Sequence, residues 1–259
     1  MLRTQLYRVI TSPLLYIGAV IYAAAIVITG IYCCDTFHPG TPAGIDIFIG
    51  GTNYSGYTIT LYLPAILCVL PCAGLLCEDI SGGGYKYAVM RGGITRYHLS
   101  KLAAAAVSAV IFCAASFVLA FAAAYILYPG LTACPRLMLR YPPFDTAAAY
   151  LSAHCYTLLP VWTCCFTTLH CITFSLLSLA VSSLLKNRYL IYASGLICFV
   201  LWCLISGVTG CMSCTASVYA NFALLEYSPL RLIISNITVI AASCALFLIL
   251  NTARRERYV

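Results

Sequence analysis

Charge is what this sequence has least of. Asp, Glu, Lys and Arg together make up 8% of its 259 residues, and only 7 of them are acids. The net charge of +7 comes from basic residues that flank apolar runs and form no patch. Such residues act as topology signals, and the distribution excludes a nucleic-acid-binding surface. Catalytic signatures are missing too. There is no GxxxxGK[ST] loop, so the chain cannot bind and hydrolyse ATP through a P-loop of its own. HExxH, GxSxG and paired intramembrane aspartates are also absent, which argues against an enzyme. Cys211 and Cys214 form a CxxC without a second pair or clustered histidines, so no metal site is expected.

Apolar residues, by contrast, fill 63% of the chain, and mean hydropathy is +0.96. Apolar runs of about 18 or more residues match the ~30 Å hydrocarbon core that a helix must cross. In lipid every backbone polar group needs an internal partner, which leaves helices or closed barrels. These runs are too continuous for strands of ~10 alternating residues. The expected fold is all-α: one polytopic membrane domain over residues 1–259, with six transmembrane helices at about 13–34, 58–77, 102–128, 156–185, 189–208 and 231–250. Ten of the sixteen cysteines fall in spans as small packing residues. Cys211 and Cys214 fall near the outer side, where a local disulfide and a pair of free thiols both remain open.

Residues 1–12 predict a short interfacial helix, with Leu2, Leu6 and Val9 on one face and Arg3 and Arg8 away from it. Residues 35–57, rich in Gly, Pro and Asp, read as an outer loop, and 129–155 as a second one. Counting charges orients the chain. Arg3, Arg8, Lys86, Arg91, Arg96, Lys101, Lys186, Arg188, Arg254, Arg255 and Arg257 fall on one side, and only Arg136, Arg140 and Arg231 on the other. Eleven against three places both termini in the cytoplasm of a multi-pass protein.

The longest cytoplasmic interruption is Glu78 to Lys101, EDISGGGYKYAVMRGGITRYHLSK. Glu78 and Asp79 stand where the second span leaves the membrane, followed by a break at Ser81 to Gly84. Tyr85 to Arg91 form about two helical turns that expose Tyr85, Val89 and Met90 among basic neighbours. Gly92 and Gly93 end that helix, and Thr95 is the expected N-cap of the next. An ordinary solvated loop would carry charge as well, but a short helix between two spans can transmit force to them.

This pattern of acid, S-G-x, short basic and aromatic helix, break, Ile94-Thr95-Arg96 and closing Lys101 resembles the coupling-helix region of ABC-2 type transporter permeases. The interfacial helix, six spans and chain length extend the resemblance over the whole chain, although Gly92-Gly93 stands where many relatives carry proline. The resemblance implies the permease subunit of a bacterial ABC exporter in the plasma membrane. Its partners would be a separate ATPase subunit, a second permease copy or paralogue, and membrane lipid; no nucleic acid is expected. This chain would hold no cofactor, with ATP and Mg bound by the partner subunit. Coupling to that ATPase is implied for Glu78, Asp79, Gly83, Gly84, Tyr85, Lys86, Val89, Met90, Arg91, Arg96 and Lys101. The cargo class that suits aromatic and small polar linings is amphipathic: peptide, lipid or hydrophobic antibiotic.

The fourth span carries a small-residue seam of Cys164, Thr168, Cys171, Ser175, Ser178 and Ser182, spaced for close helix packing. His170, Thr167 and Thr163 lie beside it and are candidates for a substrate path, against a purely packing role. In related permeases a re-entrant hairpin closes the outer mouth after span five. Tyr219, Phe222 and Glu226 would form that gate here, unless residues 211–228 are a plain outer loop. The alternatives to an exporter are a stand-alone secondary transporter or channel, and a non-transporting immunity or sensor subunit. The near absence of charge inside the spans disfavours ion coupling.

Overall fold

The computed structural model describes residues 1–37, 43–53, 59–82, 84–129, 158–185, 187–209 and 229–253. The described residues are all-helical and contain no strand. In chain order the helices are α1 (Leu2–Ile10), α2 (Pro13–Phe37), α3 (Gly44–Asn53), α4 (Ile59–Leu67), α5 (Leu70–Ser81), α6 (Gly84–Gly92), α7 (Ile94–Leu127), α8 (Leu159–Ser182), α9 (Arg188–Thr209) and α10 (Pro229–Ala253).

Local chemistry explains the boundaries. Pro13, Pro160 and Pro229 open or nearly open their helices, where the missing N–H has no intrahelical partner to lose. Gly93 separates α6 from α7 at φ 77, a conformation that side chains with a Cβ resist. Gly93 is also the N-cap of α7 and makes no side-chain cap bond. The cap expected at Thr95 is therefore displaced by two positions, because the glycine's positive φ already ends one helix and starts the next.

Four helical stretches, Pro13–Asp35, Ile94–Leu127, Pro160–Ser182 and Ile233–Asn251, are long and apolar enough to cross a membrane. Tyr62–Leu76 and Tyr189–Ile205 are shorter apolar helical stretches. Large apolar side chains such as Ile17, Ile28, Val118, Ile126, Ile205 and Ile249 face outward. A water-soluble surface rarely tolerates so broad an apolar cover.

One core cluster joins α2, α3, α4, α7, α8 and α9. At its centre Tyr22 stacks on Phe112 with ring centroids 5.9 Å apart, and Phe48 meets Phe117 edge-on at 5.4 Å. A second cluster, toward the charged end, gathers Val9, Leu76, Tyr85, Tyr97, Leu179 and Phe247. The α8 seam lies inside the protein: Ser175 donates to the Cys68 carbonyl at 3.2 Å, and Ser178 hydrogen-bonds Ser194 of α9. Thr173 donates to Asn236 of α10 at 2.9 Å.

The expected outer loop over 35–57 is corrected by α3. Ile45, Ile47, Phe48 and Ile49 are all buried, and α3 packs antiparallel along α2. A Cβ on Gly30 would stand 2.0 Å from the Ile47 carbonyl oxygen, and one on Gly51 would stand 1.9 Å from that of Ile26. Only glycine permits backbones so close. Asp46, read as a loop residue, accepts the Ala43 N–H at 3.1 Å and so caps the first turn of α3.

α3, α4 and α5 descend in sequence toward the charged end. Gly44 lies against Ala124 and Tyr128 near the far end of α7, Phe48 against Phe117 and Phe121, and Leu67 against Gly18. Below them, Leu75 and Asp79 reach Lys101. The expected span at 58–77 is thus split into α4 and α5. Pro71 lacks the N–H that would bond Leu67, and its ring clashes with that turn. Cys72 turns to Val69, freeing the Cys68 carbonyl for Ser175.

Candidate functional site

The charges that the chain does carry converge at one end. Asp79, at the end of α5, takes three partners: Arg8 Nη1 at 2.6 Å, Lys101 Nζ at 2.8 Å and the Tyr97 hydroxyl at 2.6 Å. Arg8 also bonds Glu78 at 3.1 Å. Lys101, only 1% exposed, donates further to the Leu75 carbonyl at 2.9 Å and the Gln5 side chain at 3.4 Å. Its ammonium lies 5.2 Å from the centre of the Tyr97 ring. The network ties α1, α5 and α7 together. A buried ammonium persists only when paired and fully hydrogen-bonded, and Lys101 meets both conditions.

Asp79 lies past the apolar stretch Tyr62–Leu76. Its burial alone would favour the neutral acid, but the charge of Lys101 and the hydrogen bonds from Lys101, Tyr97 and Arg8 prevail and hold its pKa below the ordinary carboxylate value. For Arg8, burial again opposes the charge, and the bonds to Asp79 and Glu78 outweigh it, raising its pKa.

α6 sits over this network. Tyr85 is 5% exposed, with its ring 5.3 Å from that of Tyr97. His98, wholly buried, lies 5.3 Å from Phe247 and so joins α7 to α10. The surface expected at Tyr85, Val89 and Met90 is corrected at its first two members: Tyr85 faces inward and Val89 is half-buried, whereas Met90 (74% exposed) faces out as expected, with Tyr87 (70% exposed) and Arg91. Gly84 and Arg96 are exposed as well. The helix begins at Gly84, a phase that turns positions 87, 90 and 91 outward and 85 inward.

The expected coupling residues therefore divide. Met90, Arg91, Arg96 and Gly84 form an exposed group with Tyr87, while Asp79, Tyr85 and Lys101 belong to the interior, and Glu78 sits between them. Arg8, Gln5 and Tyr97 complete the network, yet no local motif marks them. The packed face of α1 keeps Leu6 and Val9 of the expected three, but Gln5 is buried with them and Leu2 is exposed. The sign that could have revealed Arg8 is scarcity itself, since an acid pair in so charge-poor a chain requires basic partners.

On α8, Thr163, Thr167 and His170 are all buried, with His170 4.6 Å from the Phe174 ring and 6.3 Å from Phe199. The structure brings these three together inside the helix packing. Gly83, Cys211, Cys214, Tyr219, Phe222 and Glu226 lie outside the described residues, as does the side chain of Lys86 in α6. The described cysteines with assigned surroundings, from Cys33 to Cys244, are free thiols. Among the described residues no three His, Cys, Asp or Glu side chains form a metal-binding group.

Among the described residues one cavity lies away from this site and another beside it. One, of about 560 Å³, lies between α3, α7 and α8 and is lined by Ile45, Phe48, Phe121 and Val161 among other apolar groups. The other, of about 240 Å³, opens beside Arg8 and Glu78 at the charged end. Comparison with known protein families, with characterised proteins and with solved structures gives no match for this chain.

Proposed function

We propose that this chain is the membrane-spanning permease subunit of an ABC-2 type exporter, driven by a separate ATPase that docks on α6. The four long apolar helices, together with Tyr62–Leu76 and Tyr189–Ile205, supply six crossings. The charged end, with both chain termini, faces the cytoplasm. Cargo is amphipathic, and movement is alternating access.

The observation that carries this reading is the two-sided build of α6. Its outer side offers Tyr87, Met90 and Arg91, an apolar and basic surface without a partner among the described residues. Aromatic, Met and Arg side chains are those that protein interfaces favour. On its inner side, Tyr85 bears on Tyr97, whose hydroxyl holds Asp79 and through it α1 and α5. A push on α6 therefore reaches three helices, first through the Tyr85–Tyr97 ring contact and then through the hydrogen bonds of Asp79.

The test is a pull-down of the tagged protein from its own membrane in mild detergent, with an ATPase assay on the eluate. Wild type is expected to bring down a P-loop ATPase. Changing Tyr87, Met90 and Arg91 together to Ala is expected to lose it while leaving the thermal midpoint of the permease within a few degrees. If wild type comes down alone, with no nucleotide dependence, a solitary transporter or channel replaces this account.

A further inference from the structure

The cavity of about 240 Å³ at the charged end is built from four helices, α1, α2, α5 and α9, that the coupling argument does not use together. Ser12, at the corner between α1 and α2, offers a hydroxyl, while that of Thr11 beside it donates to the Tyr7 carbonyl at 2.7 Å; α5 offers Gly74 and Glu78; α9 brings the phenol of Tyr192; and Arg8 closes the wall. A Cβ on Gly74 would stand 2.6 Å from the Tyr192 hydroxyl oxygen, so glycine here lets the phenol seat against α5 and form one wall of the cavity. Neither charge is shut away: the side chain of Arg8 is 33% exposed and that of Glu78 44%.

The charge balance selects the ligand. The charges that line the cavity are Arg8 and Glu78, one cation and one carboxylate 3.1 Å apart, so a plain anion or cation gains no net attraction. A compact zwitterion gains at both poles, its cation against Glu78 and its anion against Arg8. Size agrees: about 240 Å³ is many times the space that a single water needs, too much for a bare ion. It is also below the ~300–1,000 Å³ of sites for drug-sized molecules. From the cavity's Leu14, exposed apolar side chains at Ile17 and Ile21 continue along one face of α2. That track would carry a hydrocarbon tail away from the polar cavity.

We propose that this cavity binds the head group of an aminophospholipid, its primary ammonium donating to Glu78 and its phosphate accepting from Arg8 and the hydroxyl of Ser12. The proposal rests on the membrane-spanning reading, and not on the ATPase partner. A choline head group has no N–H to donate, and a glycerol head group has no cation, so both are discriminated against.

The experiment titrates the purified full chain in detergent with phosphatidylethanolamine, phosphatidylcholine or phosphatidylglycerol, reading bound lipid by native mass spectrometry. Phosphatidylethanolamine is expected to bind about tenfold more tightly than the other two. Glu78→Gln is expected to bring the three within about twofold, and Tyr192→Phe to weaken phosphatidylethanolamine by a smaller factor. Equal binding of the three lipids by wild type, or a preference unchanged in Glu78→Gln, overturns the proposal. Displacement of the lipid by free phosphoethanolamine at equal concentration overturns the lipid assignment in favour of a soluble zwitterion. Carbonate extraction of the starting membranes is read alongside. If the chain is released by carbonate, the spanning reading fails with the proposal; if it is retained and no preference appears, only the proposal fails.

Discussion

Asp79 is the residue on which most of the charged end depends, since Arg8, Tyr97 and Lys101 all converge on it. Asp79→Ala would leave the Lys101 ammonium buried without a counter-charge, and the loss is expected to be about 3–5 kcal/mol. Asp79→Asn keeps the shape and should show the same sign, read as a lowered thermal midpoint in detergent. The pH dependence follows from the depressed pKa of Asp79. Because the folded value lies below the unfolded one of about 3.9, this stabilisation is complete above the unfolded value and disappears as pH falls through the folded one. The gap in midpoint between wild type and Asp79→Asn should hold steady from neutral pH to about pH 5 and close below about pH 4. A gap that stays constant to lower pH would remove the carboxylate from this role. The importance of Asp79 was legible in the sequence from charge scarcity, but its partners were not. Arg8 lies 71 residues away, and no periodicity within either helix points to the other.

At the scale of elements, the long helices were legible because hydropathy and length are local properties, and a run that can cross a membrane declares itself. α3 was hidden for the opposite reason. Its Gly, Asp and Asn content is that of a loop, and its burial depends on a contact with α2 made through Gly30 and Gly51. Gly30→Leu is therefore expected to unseat α3 and lower stability by several kcal/mol, since a Cβ at 2.0 Å from backbone cannot be relieved by a rotamer change. A substitution at Gly84, with open surroundings, should cost far less; comparable midpoints for the two variants would contradict the close crossing. The break between α4 and α5 has its own test. Ser175→Ala removes the donor to the freed Cys68 carbonyl and should cost about 1 kcal/mol or less, the usual worth of such a bond between apolar helices. Tyr85 was misread as outward, while Met90 was not, because the phase of α6 is set by where the helix starts, and a run of three glycines leaves that start open.

For the whole molecule, the charge bias predicts that tags at residues 1 and 259 report the same side of the membrane, whereas a tag within 129–155 reports the other. Split results for the two termini would require an odd number of crossings. The descent through α3, α4 and α5 has a consequence for how the chain is made. With 10, 9 and 12 residues, each piece is shorter than the roughly 20 that a helix needs to be accepted into a bilayer by its own hydrophobicity. Moreover α3 leans on Phe117, Phe121 and Ala124, residues of α7 that leave the ribosome long after it. In the proposed six-crossing arrangement, biosynthesis then holds α3 in waiting and completes this crossing only when α7 arrives. Cys33 and Cys34, buried in the finished protein, serve as reporters. They should react with a membrane-permeant maleimide in nascent chains ending near residue 93 and become protected once the chain extends past residue 127.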